Sequence, residues 1–226
     1  LVASTKPNKA IEFDTGMGLV NLADEFERTT ARDFSIEMEK EGLSRRQKVA
    51  IEDAKTALEL SLIAPLEESA SVTFRHLAML AQTKSRDEDV WASLGILGTV
   101  PQTMIDRLKR MRTWVQSRHF PDELRITILE EPHLEAISQL DDDNIAILPR
   151  LIASLRTCEW HAASIQTAIS STAKGIETSP RHAYRALYLC IMGVERGPRL
   201  PSILAEIDQM SIVNLLSACL EAKKES

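Results

Sequence analysis

At 226 residues with 44% apolar content, the chain can bury one large core or two small ones, which excludes wholesale disorder. Aromatic residues make up only 4% and glycines number eight, while Ala, Leu, Ile, Glu, Lys and Arg abound, so helices are favoured over sheets. The net charge of −6 argues against a strongly electrostatic nucleic-acid binder, although an acidic protein can carry a basic face. Cys158, Cys190 and Cys219 are odd in number and far apart; they read as small core residues in a reducing compartment, not as a disulfide framework. No apolar run reaches the ~18–20 residues that span a bilayer. The chain opens at Leu1 rather than Met and shows no signal peptide, as a piece cut from something longer would.

Taken in order, residues 1–18 read as irregular, broken by Pro7, Gly16 and Gly18, with 10–13 briefly extended. Leu19, Leu22, Ala23 and Phe26 share one side of a first helix. After Gly42, Ser44 is placed to cap a helix carrying Val49, Ala50, Ala54, Ala57, Leu58 and Ile63, which Pro65 closes. A soft boundary falls at 65–69. The spacing of Phe74, Leu77, Ala78 and Ala81 predicts a helix over 72–82. Ser85 with Glu88 has the form of a capping box ahead of Val90, Trp91 and Leu94. Pro101 opens a helix predicted to run to about His119, and Pro121 another to about Glu131, with 126–129 the one plausible strand fragment. Asp141 to Asn144 reads as a helix-capping turn. Pro149 suits the start of a helix at Leu148 better than a helix interior. Helices over 150–157 and 160–171 follow. Ser179 and Pro180 open a helix that Gly193 ends, and Gly197-Pro198 turns the chain into a last amphipathic stretch from Leu200.

Chemistry-bearing residues are few. At 100° per residue, Arg107, Arg110, Trp114 and Arg118 fall on one narrow stripe, beside a core-facing stripe of Met104, Leu108, Met111 and Val115. A basic row with one indole suits single-stranded RNA, because guanidinium groups meet phosphates and aromatic planes stack on unpaired bases. The competing reading makes Trp114 the rim of the core and the arginines a solvated face. Arg181 and Arg185, four apart on one helix, with Arg196 and Arg199 in the turn after it, can form a positive patch; alternatively Arg185 pairs with a carboxylate such as Glu195. Arg75 and His76 can reach a base, or Arg75 can pair with Glu67 or Glu68. Arg45, Arg46 and Lys48 read as a solvated face. His161, beside Trp160, reads as a buried hydrogen-bonded residue. Cys158 and His161 have ligand-like spacing, but no second pair accompanies them, and Asp141-Asp142-Asp143 lacks the Gly and distal Glu of a calcium loop, so no metal is expected. Neither a Gly-rich phosphate loop nor a nucleophile elbow is present, and no catalytic residue is assigned.

The ordered set Arg185-Ala186-Leu187, Gly193, Gly197-Pro198, Leu200 and Leu204 resembles the last subdomain of class I glutamyl- and lysyl-tRNA synthetases. Lys6-Pro7-Asn8-Lys9-Ala10 with Phe13-Asp14 and Asp24-Glu25-Phe26 is similar to the segment that follows the signature loop of the lysyl enzymes, and Phe74-Arg75-His76-Leu77 with Gln82 and the run Arg107 to Trp114 are similar to that family too. The resemblance covers nearly the whole chain. It implies an all-α, multi-helix bundle like the α-helix cage such enzymes use for the anticodon. Residues 1–65 would be a connecting segment after the catalytic domain of the parent, and 66–226 the anticodon-binding region. The parent would be a cytoplasmic lysine–tRNA ligase using ATP and lysine, and its partner the lysine tRNA, with neither membrane nor DNA involved. The fragment itself would carry no cofactor. It lacks the H-x-G-H and K-M-S-K-S motifs and any βαβ pattern, so it should be inactive alone. The RNA-binding residues expected are Arg75, His76, Arg107, Arg110, Trp114, Arg118, Arg181, Arg185, Arg196 and Arg199. A glutamyl-tRNA synthetase region, or a helical protein-interaction module without an RNA role, are the rival readings.

Overall fold

The computed structural model describes residues 14–61, 72–175 and 179–225. The stretch 6–13, the boundary at 65–69 with the closing Pro65, and Glu67 and Glu68 lie outside the described residues. Among the described residues the chain forms twelve α-helices and one 3-10 turn, with no strand, so it is all-α as its composition predicts. The helices are α1 (Met17–Thr30), α2 (Phe34–Met38), α3 (Arg45–Ser61), α4 (Phe74–Thr83), α5 (Asp87–Ser93), α6 (Gln102–Val115), α7 (Leu134–Ser138), α8 (Asp142–Thr157), α9 (Ala162–Lys174), α10 (Pro180–Met192), α11 (Leu200–Leu204) and α12 (Gln209–Glu225). Two compact units result: Leu1–Ala78 with Leu97–Phe120, and Met79–Ile96 with Pro121–Ser226. The division falls inside α4.

In the first unit the Asp14 carboxylate accepts from the amides of Gly16 and Gly18, each at 2.8 Å, and so opens α1. A Cβ on Gly18 would come within 2.9 Å of the Asp14 Cβ, which explains why a glycine stands there. Asp33 caps the short α2 through the amides of Ser35 and Ile36, a helix the periodicity alone does not reveal. Ser44 caps α3 as expected: its hydroxyl accepts from the Gln47 amide and the Gln47 side chain reaches back to the Ser44 amide. Met104, Leu108 and Met111 of α6 are buried, as the stripe predicts, along with Val20, Ile51, Leu77 and Phe120.

The second unit holds the larger core, built from α7 to α12. Its centre is α10. Ser179 caps it, Pro180 takes the first position, and Gly193 ends it in the left-handed conformation at φ 70°. Eight residues of α10 are buried, among them Leu187, Leu189, Cys190 and Ile191. Asp141 and Asn144 form a reciprocal capping box at the start of α8. Lys84 donates to the Glu206 carbonyl at 2.7 Å and pairs with its carboxylate at 3.1 Å, and Ser93 donates to the same carboxylate, which ties α4 and α5 to the end of α11.

Four local expectations are corrected. Pro149 does not begin a helix; it lies inside α8. The apolar spacing continues unbroken past it, and Ile147, Leu148, Leu151, Ile152 and Leu155 are all buried. Five such side chains at ~1.5–3 kcal/mol each outweigh the ~3 kcal/mol that an interior proline costs. Residues 121–131 are not helical beyond a 3-10 turn at Asp122–Leu124. Their backbone bonds elsewhere: Gln82 donates to the Leu124 carbonyl and accepts from the Ile126 amide, and the Leu129 amide donates to the Ile191 carbonyl. Ser85 does not cap α5. Arg86 holds that position without a side-chain cap, and Asp87, Glu88 and Asp89 complement the positive end of the helix dipole instead. Finally, α6 stops at Val115, where the Ser117 amide and hydroxyl both donate to the Trp114 carbonyl.

The caps at Gly193 and Asp14 lend themselves to measurement. At Gly193 an added Cβ meets only Leu129 Cδ1 at 3.5 Å, so Gly193→Ala carries backbone strain without a clash; thermal unfolding should show a loss of ~1–2 kcal/mol. The Gly18 and Gly16 amides hold the Asp14 carboxyl below its ordinary value of 3.8. Its contribution is therefore present above that value and is lost as pH falls through the depressed one. Unfolding followed from pH 7 down to pH 3 should show the destabilisation by Asp14→Ala shrinking as pH falls below 3.8.

Candidate nucleic-acid interface

The ten residues singled out from sequence divide between the units, and each set is engaged to a different degree. In the first unit, Arg75 forms a two-pronged pair with Asp24: Nε lies 2.8 Å from Oδ2 and Nη2 2.7 Å from the same oxygen. This partner sits on α1 and is not a neighbour in sequence. Glu27, one turn further along α1, accepts from the Phe74 amide and lies 4.0 Å from Arg107 Nη2. Arg107 also donates to the Val72 carbonyl at 3.1 Å. Two of the expected RNA contacts are thus bound into the packing of α1 against the start of α4.

Trp114 is held by two aromatic contacts and a hydrogen bond. Its ring centroid lies 5.2 Å from Phe74 and 4.8 Å from Phe120, the latter edge to face, and Nε1 donates to the Thr15 carbonyl at 2.9 Å. This matches the reading in which Trp114 rims the core. Arg110 stands exposed with no ion-pair partner among the described residues, and His76 is exposed at the start of α4. Arg118 falls past the end of α6 and donates to His119 at 3.4 Å, so the stripe that joined it to Arg107 is broken by the helix terminus.

In the second unit, Arg185 is the most engaged arginine. Nε and Nη2 donate to Glu195 Oε1 at 3.1 and 2.7 Å, and Nη1 donates to Asn144 Oδ1 at 2.7 Å and to Asp141 Oδ2 at 3.2 Å. Asn144 is fully buried, and its amide donates to the His182 carbonyl at 3.0 Å. The expected Glu195 pairing is present, together with two further partners. The signal for Asn144 was legible, since it is the third residue of a helix whose cap is Asp141.

Tyr188 donates to the carbonyls of Gly197 and Pro198, which fixes the turn carrying Arg196 and Arg199. Arg181 and Arg196 are exposed and have no partner among the described residues, and Arg199 donates once, to Gln166 Oε1 at 2.8 Å. The turn therefore presents guanidinium groups with donors to spare, while Arg185 beneath them is spent on the fold.

The remaining polar candidates are otherwise occupied. His161 is exposed, not buried as the sequence suggests. It caps α9, accepting from the Ser164 amide. Trp160 donates to the Ile207 carbonyl at 2.7 Å. Cys190 and Cys219 are fully buried and Cys158 is half-buried; all three are free thiols. No group of three metal-ligating side chains comes together among the described residues. No helix among them is long and apolar enough to cross a membrane. The first unit also carries an apolar groove of about 790 Å³ between α1 and α3, lined by Leu19, Leu22, Phe26, Ala54, Ala57 and Leu58.

No protein-family model matches the chain. Individual relatives do. The lysine–tRNA ligase of Thermoplasma volcanium is 30% identical over 205 residues, covering 88% of this chain and 37% of that protein. That of Picrophilus torridus is 25% identical over 224 residues, 97% of this chain and 41% of the relative. That of Pyrococcus furiosus is 30% identical over 227 residues, 96% of this chain and 41% of the relative. The chain thus spans 37–41% of the length of these curated relatives. The resemblance to lysyl-tRNA synthetases read from the motifs is borne out: the chain is related to them across nearly all of its length.

Arg185→Ala leaves a buried Asn144 acceptor and the Asp141 and Glu195 carboxylates without their shared donor. It should destabilise the protein by ~1–3 kcal/mol in denaturant unfolding. Arg196→Ala, an exposed residue without a partner among those described, should leave the midpoint unchanged. Equal stability of the two variants would contradict this division of roles.

Proposed function

We propose that this relative of the class I lysyl-tRNA synthetases is their C-terminal, anticodon-binding part, and that its parent joins lysine to its tRNA with ATP. The observation that carries the reading is the likeness to lysine–tRNA ligases over 88–97% of the chain, in a stretch without the H-x-G-H and K-M-S-K-S motifs on which activation depends. ATP and lysine would bind in the remainder of the parent. The relatives carry lysine in their names, which supports the lysyl over the glutamyl reading.

The chemistry of the α10–α11 turn supports an RNA role. In that turn Arg196 and Arg199 offer donors to phosphates and base edges, on a segment pinned by Arg185 and Tyr188, and Arg181 offers another at the far end of α10. Phosphate contacts would supply affinity and base contacts identity. The net charge of −6 keeps affinity modest, so most of the grip on the tRNA would come from the rest of the parent. One observation favours a second reading as a protein-interaction module: the apolar groove between α1 and α3.

The test is a titration with lysine tRNA and an anticodon-swapped version at two salt concentrations. Tighter binding to the native anticodon that persists at the higher salt is the expected result. For Arg181→Ala with Arg196→Ala, affinity should fall at least about tenfold, and the salt dependence should flatten by roughly 0.7 for each phosphate that is no longer neutralised. Binding indifferent to the anticodon would favour the interaction-module reading.

A further inference from the structure

The two helices that flank the apolar groove of the first unit carry core-type faces that the unit leaves half covered. Leu19, Leu22 and Phe26 repeat at helical spacing on α1, and Ala54, Ala57 and Leu58 do so on α3. Five of the six are only half-buried, and Phe26 is 45% exposed. The space between the two stripes is about 790 Å³. The small side chains of Ala54 and Ala57 leave room in it for larger ones from a partner. The charge around the groove has one sign. Glu25 and Asp53 line it from opposite helices, both exposed and without an ion pair among the described residues. Arg32, the one cation among the described lining residues, is already committed: Nη2 lies 2.5 Å from Glu37 Oε2, and the guanidinium stands 4.7 Å from the centre of the Phe34 ring. Elsewhere on α1 the carboxylates serve packing, since Asp24 and Glu27 pair with Arg75 and Arg107. Glu25 and Asp53 have no such task.

We propose that the α1–α3 groove docks an amphipathic helix of a separate protein, apolar on one face and bearing lysine or arginine along its edges. The inference rests on the second reading above, an interaction role for the groove, and does not require the chain to bind tRNA. Its physical basis is twofold. Two half-covered apolar stripes are the floor that a helix with anchors at positions i, i+3, i+4 and i+7 fills. The unpaired Glu25 and Asp53 carboxylates select among such helices by charge, favouring a basic edge and opposing an acidic one. The same carboxylates repel phosphate, so this face does not suit RNA.

The experiment titrates the full chain, by fluorescence anisotropy at low salt, with a labelled ~18-residue helical peptide carrying leucines on one face and lysines along both edges. A counterpart has glutamate in place of every lysine. The lysine peptide should bind at least about tenfold more tightly, and the ratio should shrink as added salt screens the rim. Glu25→Lys with Asp53→Lys should bring the ratio to about twofold or less. Phe26→Ser should weaken the lysine peptide at low and high salt alike, because it removes floor and leaves the rim. All three positions are exposed, so unchanged unfolding midpoints show that folding is not the cause. Failure of the lysine peptide to bind, or equal binding of the two peptides, overturns the proposal. So does a preference that survives the double charge reversal, or binding that Phe26→Ser leaves unchanged. Self-association of the chain that Phe26→Ser abolishes makes the occupant a second copy, and absence of peptide binding in the full-length parent makes it another part of the parent; either overturns the proposal too. The tRNA reading separates cleanly: anticodon-dependent tRNA binding without peptide binding sinks only the docking groove, and peptide binding without anticodon dependence sinks only the tRNA reading.

Discussion

Asn144 is the fully buried polar side chain among the described residues, and it joins two helices of the second unit, α8 and α10. Its oxygen accepts from Arg185 and from the Asp141 amide, and its NH2 donates to the His182 carbonyl. One amide thereby completes the cap of α8 and binds α8 to α10. Because a polar group buried without partners costs several kcal/mol, this set of bonds must form as a whole. Arg185 extends it outward to Glu195, beyond the end of α10. The direction of α10 into the following turn is therefore set by hydrogen bonds at its side and by apolar burial along its length.

That arrangement has a consequence for function. A turn that displays charged side chains is useful for recognition only if its backbone is held still, since ordering it at the moment of binding would cost affinity. Tyr188, Arg185 and the left-handed Gly193 fix the segment from 193 to 199 from three sides. Arg196 and Arg199 then stand on a segment whose backbone is bonded to α10. Arginine is suited to both jobs here because its planar fork can be fully bonded, as in Arg185, or left with donors free, as in Arg199.

The first unit shows the same economy on a smaller scale. Asp24 and Glu27 of α1 face Arg75, Arg107 and the first amide of α4, so these charges take part in helix packing. Trp114 likewise packs against two phenylalanines. A stripe of arginines on a helical wheel reports which side chains share a face, and says nothing of how many carboxylates the neighbouring helices bring to it.

Local chemistry was legible in the sequence at several helix ends where cause and effect lie within one helical turn, though not at Ser85, Asp33 or His161. Ser179, Pro180 and Gly193 bound α10, Ser44 opens α3, and Asp141 with Asn144 opens α8, because a cap acts on amides two or three residues away. The all-α class and the buried faces of α6 and α10 were legible for the same reason, through their 3.6-residue period. Tertiary structure decided the rest. Pro149 stays inside a helix because core burial outweighs its local cost, and 121–131 leaves the helical conformation because its amides and carbonyls find partners as far off as Gln82 and Ile191. Whether an arginine is spent or available depends on residues such as Asp24, 51 positions from Arg75, and Gln166, 33 from Arg199. No periodicity encodes such distances; only the packing of helices brings those groups together.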